Sequence, residues 1–564
     1  MDSSTSFGRW LRQRRKALGL THATLADGAH CSVSALRKIE QDERRPSRGL
    51  AERLAACLDI APPERERFVA IARGERRADR LDLDVPPLAV PPLPAWDPAM
   101  PSIAVLPFAN LGDDAANEHF ADGLAEELLN ILARIPGLRV ASRTSAFSFK
   151  GQHVDVRTLA RRLDVSTVLE GSVRRAGERV RIAAQLVRAA TDSHLWSEVY
   201  DRSLQDIFAV QDDIAQSVVT ALRAVLLGEG ANADASAQVR TEILAATHGR
   251  TRDARAHELY LQGRFLIERV TAEDTATGIE YCRQALQADP RYALAWAGLA
   301  GAYSTQASFG WAPLADTVER ARAAAERALA LQPDLAEAHA ELGWIRMTFD
   351  WDWRGADASY RRALAFGAGH PGIVRAASLL ADSLERIDEA VALARRAVAL
   401  DPLSFIARGN LALRCLDAGR LEEAQDAVRQ ALELNPRGTL LHWVLGVVRL
   451  EQDRPGDARD AFEREPLDVL RLLGLALVAH AEGRHAERQA MLEALVEQGR
   501  HDAAFQVAEA FAACGDADRA FDWLERAHAQ RDPGLAHLRT LPLLRPLRGD
   551  PRWPLFLAKM GFAE

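Results

Sequence analysis

The stretch "LTHATLADGAHCSVSALRKIEQDERRPS", residues 20–47, decides how the chain begins. Leu25, Ala26, Cys31, Leu36 and Ile39 fall at the positions that two short, steeply crossing helices bury between them. Ala26 lies where the two helices nearly touch, so only a small side chain fits. The break between them holds Gly28 and His30, and histidine tolerates left-handed backbone better than most residues. Thr21 is placed to cap the first helix, and Ser47 a later one, "SRGLAERLAACLD". Upstream, Phe7, Trp10, Leu11 and Leu18 keep helical spacing in "FGRWLRQRRKALG", and a last helix starts after Pro62 and Pro63. Residues 1–78 therefore read as a five-helix bundle.

This segment is basic in an acidic chain. Residues 1–78 hold 16 Lys and Arg against 10 Asp and Glu, a balance of +6, whereas the 564 residues together carry −8. Such asymmetry points to a nucleic-acid or anionic contact confined to the N-terminus. The length suggests roughly three to five domains. The five cysteines, at 31, 57, 282, 415 and 514, show neither metal-ligand nor C-x-x-C spacing, which fits a reducing compartment. The opening "MDSSTSFGRW" has no apolar run of a signal peptide, and nothing approaches the ~18 apolar residues of a membrane helix. A cytoplasmic location with no membrane contact is expected. Only positions 16, 38, 150 and 559 are lysine among 71 basic residues, a bias that hints at a GC-rich bacterial genome.

Residues 79–101 are a proline-rich linker, biased to an extended and semi-rigid conformation. Residues 102–226 alternate. "SIAVLPF" and "LRVAS" read as buried strands, "EHFADGLAEELLNILARI" and "VRTLARRLDV" as helices. "STVLEGSVRRA", "RVRIAAQLVRA" and "HLWSEVYDR" read as further strands, with a hairpin around Gly177, and "DIFAVQDDIAQSVVTALRAVL" as a closing helix. That order predicts an α/β domain. Residues 227–253 are small and polar and read as a second linker.

From 254 to 564 the chain is helical and self-similar. Ala356, Ala390, Ala424 and Ala458 are each 34 apart, and Ala321 precedes them by 35. Ala328, Ala363, Ala397 and Ala431 form a second series, Gly343, Ala377, Ala412 and Gly446 a third, and Pro333, Pro402 and Pro436 punctuate the units. Small residues let two helices of a hairpin approach closely, and proline ends the second helix. The step widens at "STQASFGWAPLAD", slips after Ala458 and returns at Ala520 and Ala527, giving about six to eight repeats. Phe349, Trp351 and Trp353 read as rings packed between hairpins, or else as the lining of a site. "LRPLRGDPRWPLFLAKMGF" reads as a cap.

Three resemblances follow. Residues 6–73, and "ALRKIEQDERRPS" above all, resemble the helix-turn-helix of Cro and phage repressors, the XRE family. The chain departs from that family in having His30 for the usual turn glycine and His22 for a frequent glutamine. The resemblance implies binding of double-stranded DNA by a dimer on a two-fold site. Carried over, Ser32, Val33, Ser34, Arg37 and Lys38 face base edges, Thr21 and His22 meet phosphate or a base, and Arg44, Arg45 and Arg48 bind backbone phosphates. Glu40 reads as a structural partner for a nearby arginine. Residues 102–226 resemble the TolB-like amino-terminal domain, which in bacterial regulators often precedes repeats, sometimes beside a nucleotide cyclase. Residues 254–564 resemble tetratricopeptide repeats, whose concave face takes protein or peptide partners.

The fold class expected is thus multidomain and mainly α: helix-turn-helix bundle, α/β TolB-like domain, α-solenoid. No phosphate-binding glycine loop, H-E-x-x-H or deaminase pairing occurs, and no segment is left long enough for a cyclase domain. Asp113–Asp114 and Glu126–Glu127 read as surface acids. The expectation is no enzyme, no cofactor and no metal. The function expected is a transcriptional regulator; the alternative is a repeat scaffold whose helix-turn-helix no longer reads DNA.

Overall fold

The structure is a computed structural model. It describes residues 7–8, 11–12, 15, 21–40, 44–58, 65–73, 100–112, 116–135, 137–152, 154–176, 179–203, 207–227, 251, 253–267, 269–499 and 503–562. Trp10, Leu18, Pro62, Pro63, nearly all of both expected linkers, Asp113, Asp114 and the turn at Gly177 lie outside the described residues. The chain divides into two compact units, Met1–Pro92 and Leu93–Glu564.

In the first unit, helical residues at 7–8, 11–12 and 15 are followed by α1 (His22–Gly28), α2 (Val33–Glu40), α3 (Arg48–Cys57) and α4 (Arg65–Ala72). Leu11, Leu25, Ala26, Ala29, Leu36, Ile39, Leu54 and Phe68 are buried together, and Cys31 is half-buried at their edge. Phe7 meets Phe68 edge to face at 5.6 Å.

The second unit begins with a mixed sheet. Strand β1 (Ser102–Val105) pairs in parallel with β3 (Arg139–Val140) and β4 (Thr167–Ala176). The short β2 (Ala109–Asn110) continues parallel pairing along β4, and β5 (Arg179–Arg188) and β6 (Ser193–Ser203) complete the sheet as antiparallel neighbours. Alternate residues of β1 enter different cores, as the pleat requires. Ile103 and Val105 face α5 (Ala116–Ala133) and α8 (Ile207–Leu227), whereas Ala104 faces α7 (Val156–Leu163). The short helix α6 (Arg143–Phe147) carries the contact to the repeats. The Ser145 hydroxyl donates to Asp401 and accepts from the Leu403 amide at 2.9 Å, and the Ser142 amide donates to the Leu400 carbonyl at 3.0 Å. Arg264–Glu126 and Arg134–Glu337 ion pairs, at 2.7 and 3.2 Å, extend the joint.

The repeats form eight helix pairs among the described residues: α9 (Ala254–Ile267) with α10 (Ala272–Ala288), α11 (Ala293–Ser308) with α12 (Leu314–Leu331), α13 (Ala336–Ile345) with α14 (Trp353–Gly367), α15 (Pro371–Ser383) with α16 (Ile387–Leu400), α17 (Phe405–Asp417) with α18 (Leu421–Leu434), α19 (Leu441–Glu451) with α20 (Pro455–Phe462), α21 (Asp468–Ala481) with α22 (His485–Gln498), and α23 (Ala504–Ala513) with α24 (Ala517–Gln530). The first and second alanine series, from Ala321 to Ala458, are completely buried, 0% exposed at every position. The turns inside three successive hairpins place Glu385, Gly419 and Asp453, again 34 apart, in left-handed backbone. First helices of successive pairs pack on one another, so they form an inner layer with the second helices outside.

The aromatic trio is buried. Trp353 stacks on Phe562 at 4.2 Å and donates to the Met560 carbonyl at 2.7 Å, and Trp351 lies 4.5 Å from His528. The rings therefore hold the C-terminal segment, not only neighbouring hairpins. Among the described residues no helix is long and apolar enough to cross a membrane.

Phe462 is wedged between Gly446 and Gly474; a Cβ added at either glycine would fall 2.3 or 2.2 Å from its ring. Gly446→Ala should therefore destabilise the repeats by about 1–3 kcal/mol. Gly456→Ala, where a Cβ meets nothing within 4 Å, should be neutral or slightly stabilising. Urea titration followed by circular dichroism separates the two.

Candidate nucleic-acid interface

Local chemistry sets the two helices. The Thr21 hydroxyl accepts from the Thr24 amide at 3.0 Å and begins α1; the Ser32 hydroxyl accepts from the Ala35 amide at 3.1 Å and begins α2. Between them His30 adopts φ 49°, the left-handed turn that glycine would supply more easily. The Arg53 guanidinium donates to the Ala29 carbonyl at 2.7 Å, satisfying a carbonyl at the end of α1. Gly28 has little room for a side chain, since a Cβ there would stand 3.0 Å from the Cys57 sulfur.

The orientation of α2 is fixed by charge as well as by Leu36 and Ile39. The Glu40 side chain, 3% exposed, lies against Arg15 and His22. Arg15 donates to Glu40 through Nε and again through a terminal nitrogen at 3.0 Å, and His22 Nε2 is 3.0 Å from the second carboxylate oxygen. Burial pushes the Glu40 carboxyl up, but hydrogen bonds and charge from Arg15, then His22, outweigh it and hold the group below its ordinary value.

The residues expected at the interface separate into groups. Ser34, Arg37 and Lys38 are exposed, and their spacing puts them on one side of α2. Ser32 is exposed but its oxygen is the cap, and Thr21 is exposed with its hydroxyl at the start of α1. Arg44 is exposed in the following loop. Arg45 is exposed but donates to the Arg73 carbonyl at 3.1 Å, and Arg48 pairs with Glu52 at 3.0 Å. Two of the expected residues are partly engaged elsewhere. His22 Nε2 is 3.0 Å from Glu40 and 3.2 Å from Arg15, while its side chain stays partly exposed. Val33 is half-buried against the core, so only part of it faces out. Arg15 and Arg53 were missed. Each acts on a residue 24 or 25 positions away, a separation that carries no local signal.

Three family descriptions match parts of the chain. Residues 6–68 match the family described as "Helix-turn-helix domain". Residues 99–217 match "HilA/YgeH-like transcriptional regulator, second domain", and 375–424 and 410–468 match "Tetratricopeptide repeat". The chain carries a helix-turn-helix domain, a HilA-like regulator domain and tetratricopeptide repeats. For the central region the match carries the HilA/YgeH-like description, and the TolB-like resemblance read from the sequence is not confirmed by it.

Putative adenylate cyclase 3 of Rhizobium meliloti (strain 1021) is 40% identical over 215 residues, 38% of this chain and 34% of that protein. The chain thus spans about a third of the length of this curated relative. This match overturns the expectation that the chain is no enzyme, since a relative at this identity bears an enzyme's name. Among solved structures, pilF of Pseudomonas aeruginosa is 20% identical over 35% of this chain and 91% of that one, with a TM-score of 0.30. A tetratricopeptide repeat protein of Parabacteroides merdae ATCC 43184 is 13% identical over 48% and 100%, with a TM-score of 0.34.

The lowered Glu40 carboxyl contributes stability that is complete above the usual value near 4.5 and is lost as pH falls through the lowered one. Hydrogen-exchange protection factors across residues 22–40 of the full chain, corrected for the intrinsic pH dependence of exchange, should therefore fall below about pH 4.5. Glu40→Gln, which leaves Arg15 buried without its carboxylate, should cost roughly 3 kcal/mol near neutral pH and remove this acid dependence.

Proposed function

We propose that the chain is a DNA-binding transcriptional regulator, with residues 1–78 as the DNA-binding domain, 102–226 as a coupling domain and 254–564 as a partner-binding or sensing superhelix. The observation that carries this reading is the exposed row Ser34, Arg37 and Lys38 on a helix whose opposite side is locked by Leu36, Ile39 and the Glu40 ion pairs. A rigid helix with donors on its open side suits the major groove. Arg37 and Lys38 donate to guanine O6 and N7, and Ser32 and Ser34 reach either base edges or phosphate. Thr21, Arg44, Arg45 and Arg48 serve the phosphate backbone; Arg45 and Arg48 exchange weak exposed contacts for it.

One such helix reads few base pairs, so specific binding calls for two copies on a two-fold site. The acidic remainder of the chain disfavours other contacts with DNA and confines binding to the basic unit. The HilA/YgeH-like match supports a regulatory setting, and the repeats support a protein partner. The reading places the protein in the cytoplasm.

Selection of sites from random duplexes with the full chain should enrich a two-fold motif whose affinity falls steeply with salt. On that motif Arg37→Ala or Lys38→Ala should cost about 1–3 kcal/mol and relax base preference, whereas Arg44→Ala should weaken all sequences alike. Identical behaviour of the two classes would misplace the recognition side of α2. No enrichment would favour the repeat scaffold.

A further inference from the structure

The segment after α24 packs on α23, the first helix of the last pair, and runs on over the inner layer of the repeats. It turns at Arg531, in left-handed backbone, and forms two 3-10 helices, Pro533–His537 and Pro542–Gly549, before α25 (Arg552–Lys559). Those turns lie across the inner layer of the repeats. The Thr540 hydroxyl donates to Asp382 of α15 at 2.7 Å, and Arg539 pairs with Glu385 just beyond the same helix. His537 Nδ1 is 3.5 Å from Arg414 of α17, and Arg545 donates to Glu451 at the end of α19 at 2.9 Å. Between the polar contacts Leu535, Leu538, Leu544 and Leu547 are buried. One run of under twenty residues thus spans several successive repeats, as a bound peptide does in a groove.

Beneath the segment its leucines join the apolar core of the repeats, and beside that core lies a buried charge cluster. Arg414 stands between Asp382 at 2.9 Å and Asp417 at 3.1 Å, and the side chains of all three are 0% exposed. Burial pushes Asp417 up to about 8, against the Arg414 charge and with that of Asp382, and burial, then Arg414, pushes His537 down to about 3. Desolvating two carboxylates and a guanidinium is costly, and an apolar floor would hold a permanent strand of chain better. Acidic side chains at the rim, Glu385 and Glu451, with leucine-accepting surface between them, describe a recognition surface.

We propose that the inner face of repeats 371–451 is a peptide-binding groove that residues 533–549 occupy in cis, and that its external ligand is a protein segment of the same chemistry, leucine-rich with flanking arginines. The proposal rests on the reading that the repeats take a protein partner, and names where and what. The tethered segment acts at an effective concentration on the order of millimolar, so an external segment of equal intrinsic affinity binds only the fraction of molecules in which the tether has left. Occupancy of the groove is then a switch between a closed chain and one that holds a partner.

The test uses a labelled synthetic peptide of residues 531–562 and the full chain, with fluorescence anisotropy as readout. Arg539→Glu/Arg545→Glu reverses the two partly exposed pairs without touching the buried leucines, so the repeats keep their fold. This variant should bind the peptide at least about 10-fold more tightly than the unaltered chain, because its own segment competes less. A peptide with both arginines replaced by glutamate should bind the same variant about 10-fold more weakly than the natural peptide. Hydrogen exchange should speed up at 533–549 while α15, α17 and α19 stay protected. Equal affinity for unaltered and variant chains, equal affinity for both peptides, no binding to either chain, or loss of protection throughout the repeats would each overturn the proposal. The assay contains no DNA, so failure of DNA recognition leaves it standing.

Discussion

Everything in the larger unit depends on helices coming closer than ordinary side chains allow. The 34-residue series of alanines, with Gly343, Gly446 and Gly474, removes bulk where two helices of a hairpin meet. Close approach turns each pair into a plate that stacks on the next, and no pair buries its apolar side alone. The same constraint sets where large residues go. Phe462 fills the space that two glycines leave, and Tyr360 lies against Gly343 in the same way.

Electrostatics divides the labour between the units. The small unit is basic and spends one buried carboxylate, Glu40, on holding the helix whose open side bears Arg37 and Lys38. Arg15 and His22 contribute to that hold from other helical segments, so the position of α2 is tied to charge. In the large unit arginine and carboxylate pairs instead join layers. Arg264–Glu126 and Arg134–Glu337 tie the α/β sheet to the repeats, and Arg414 with Asp382 and Asp417 underlies the returning C-terminus. Arginine suits these joints because its planar fork satisfies two acceptors at once.

The α/β layer and the repeats meet through α6, whose two serines bind the backbone and carboxylate at the turn between α16 and α17. That turn is also where successive plates rotate.

By itself the sequence determined the parts. Period fixed the repeats, because a 3.6-residue helix with small residues every 34 positions has one way to pack. Alternation fixed the strands, and every long strand and helix read between 102 and 226 is present, while the short β2 and α6 carry too few residues to show a period. The positions Ser34, Arg37 and Lys38 were implied by the helix-turn-helix resemblance, and all three are exposed. Tertiary structure decided what depended on residues far apart in the chain. It gave Glu40 its Arg15 and His22, set α6 against Asp401, and sent residues 533–549 back over α15, α17 and α19. Local propensity specifies a helix through neighbours three and four residues away, whereas an ion pair across 25 residues or a segment crossing three repeats exists only once the chain has closed on itself.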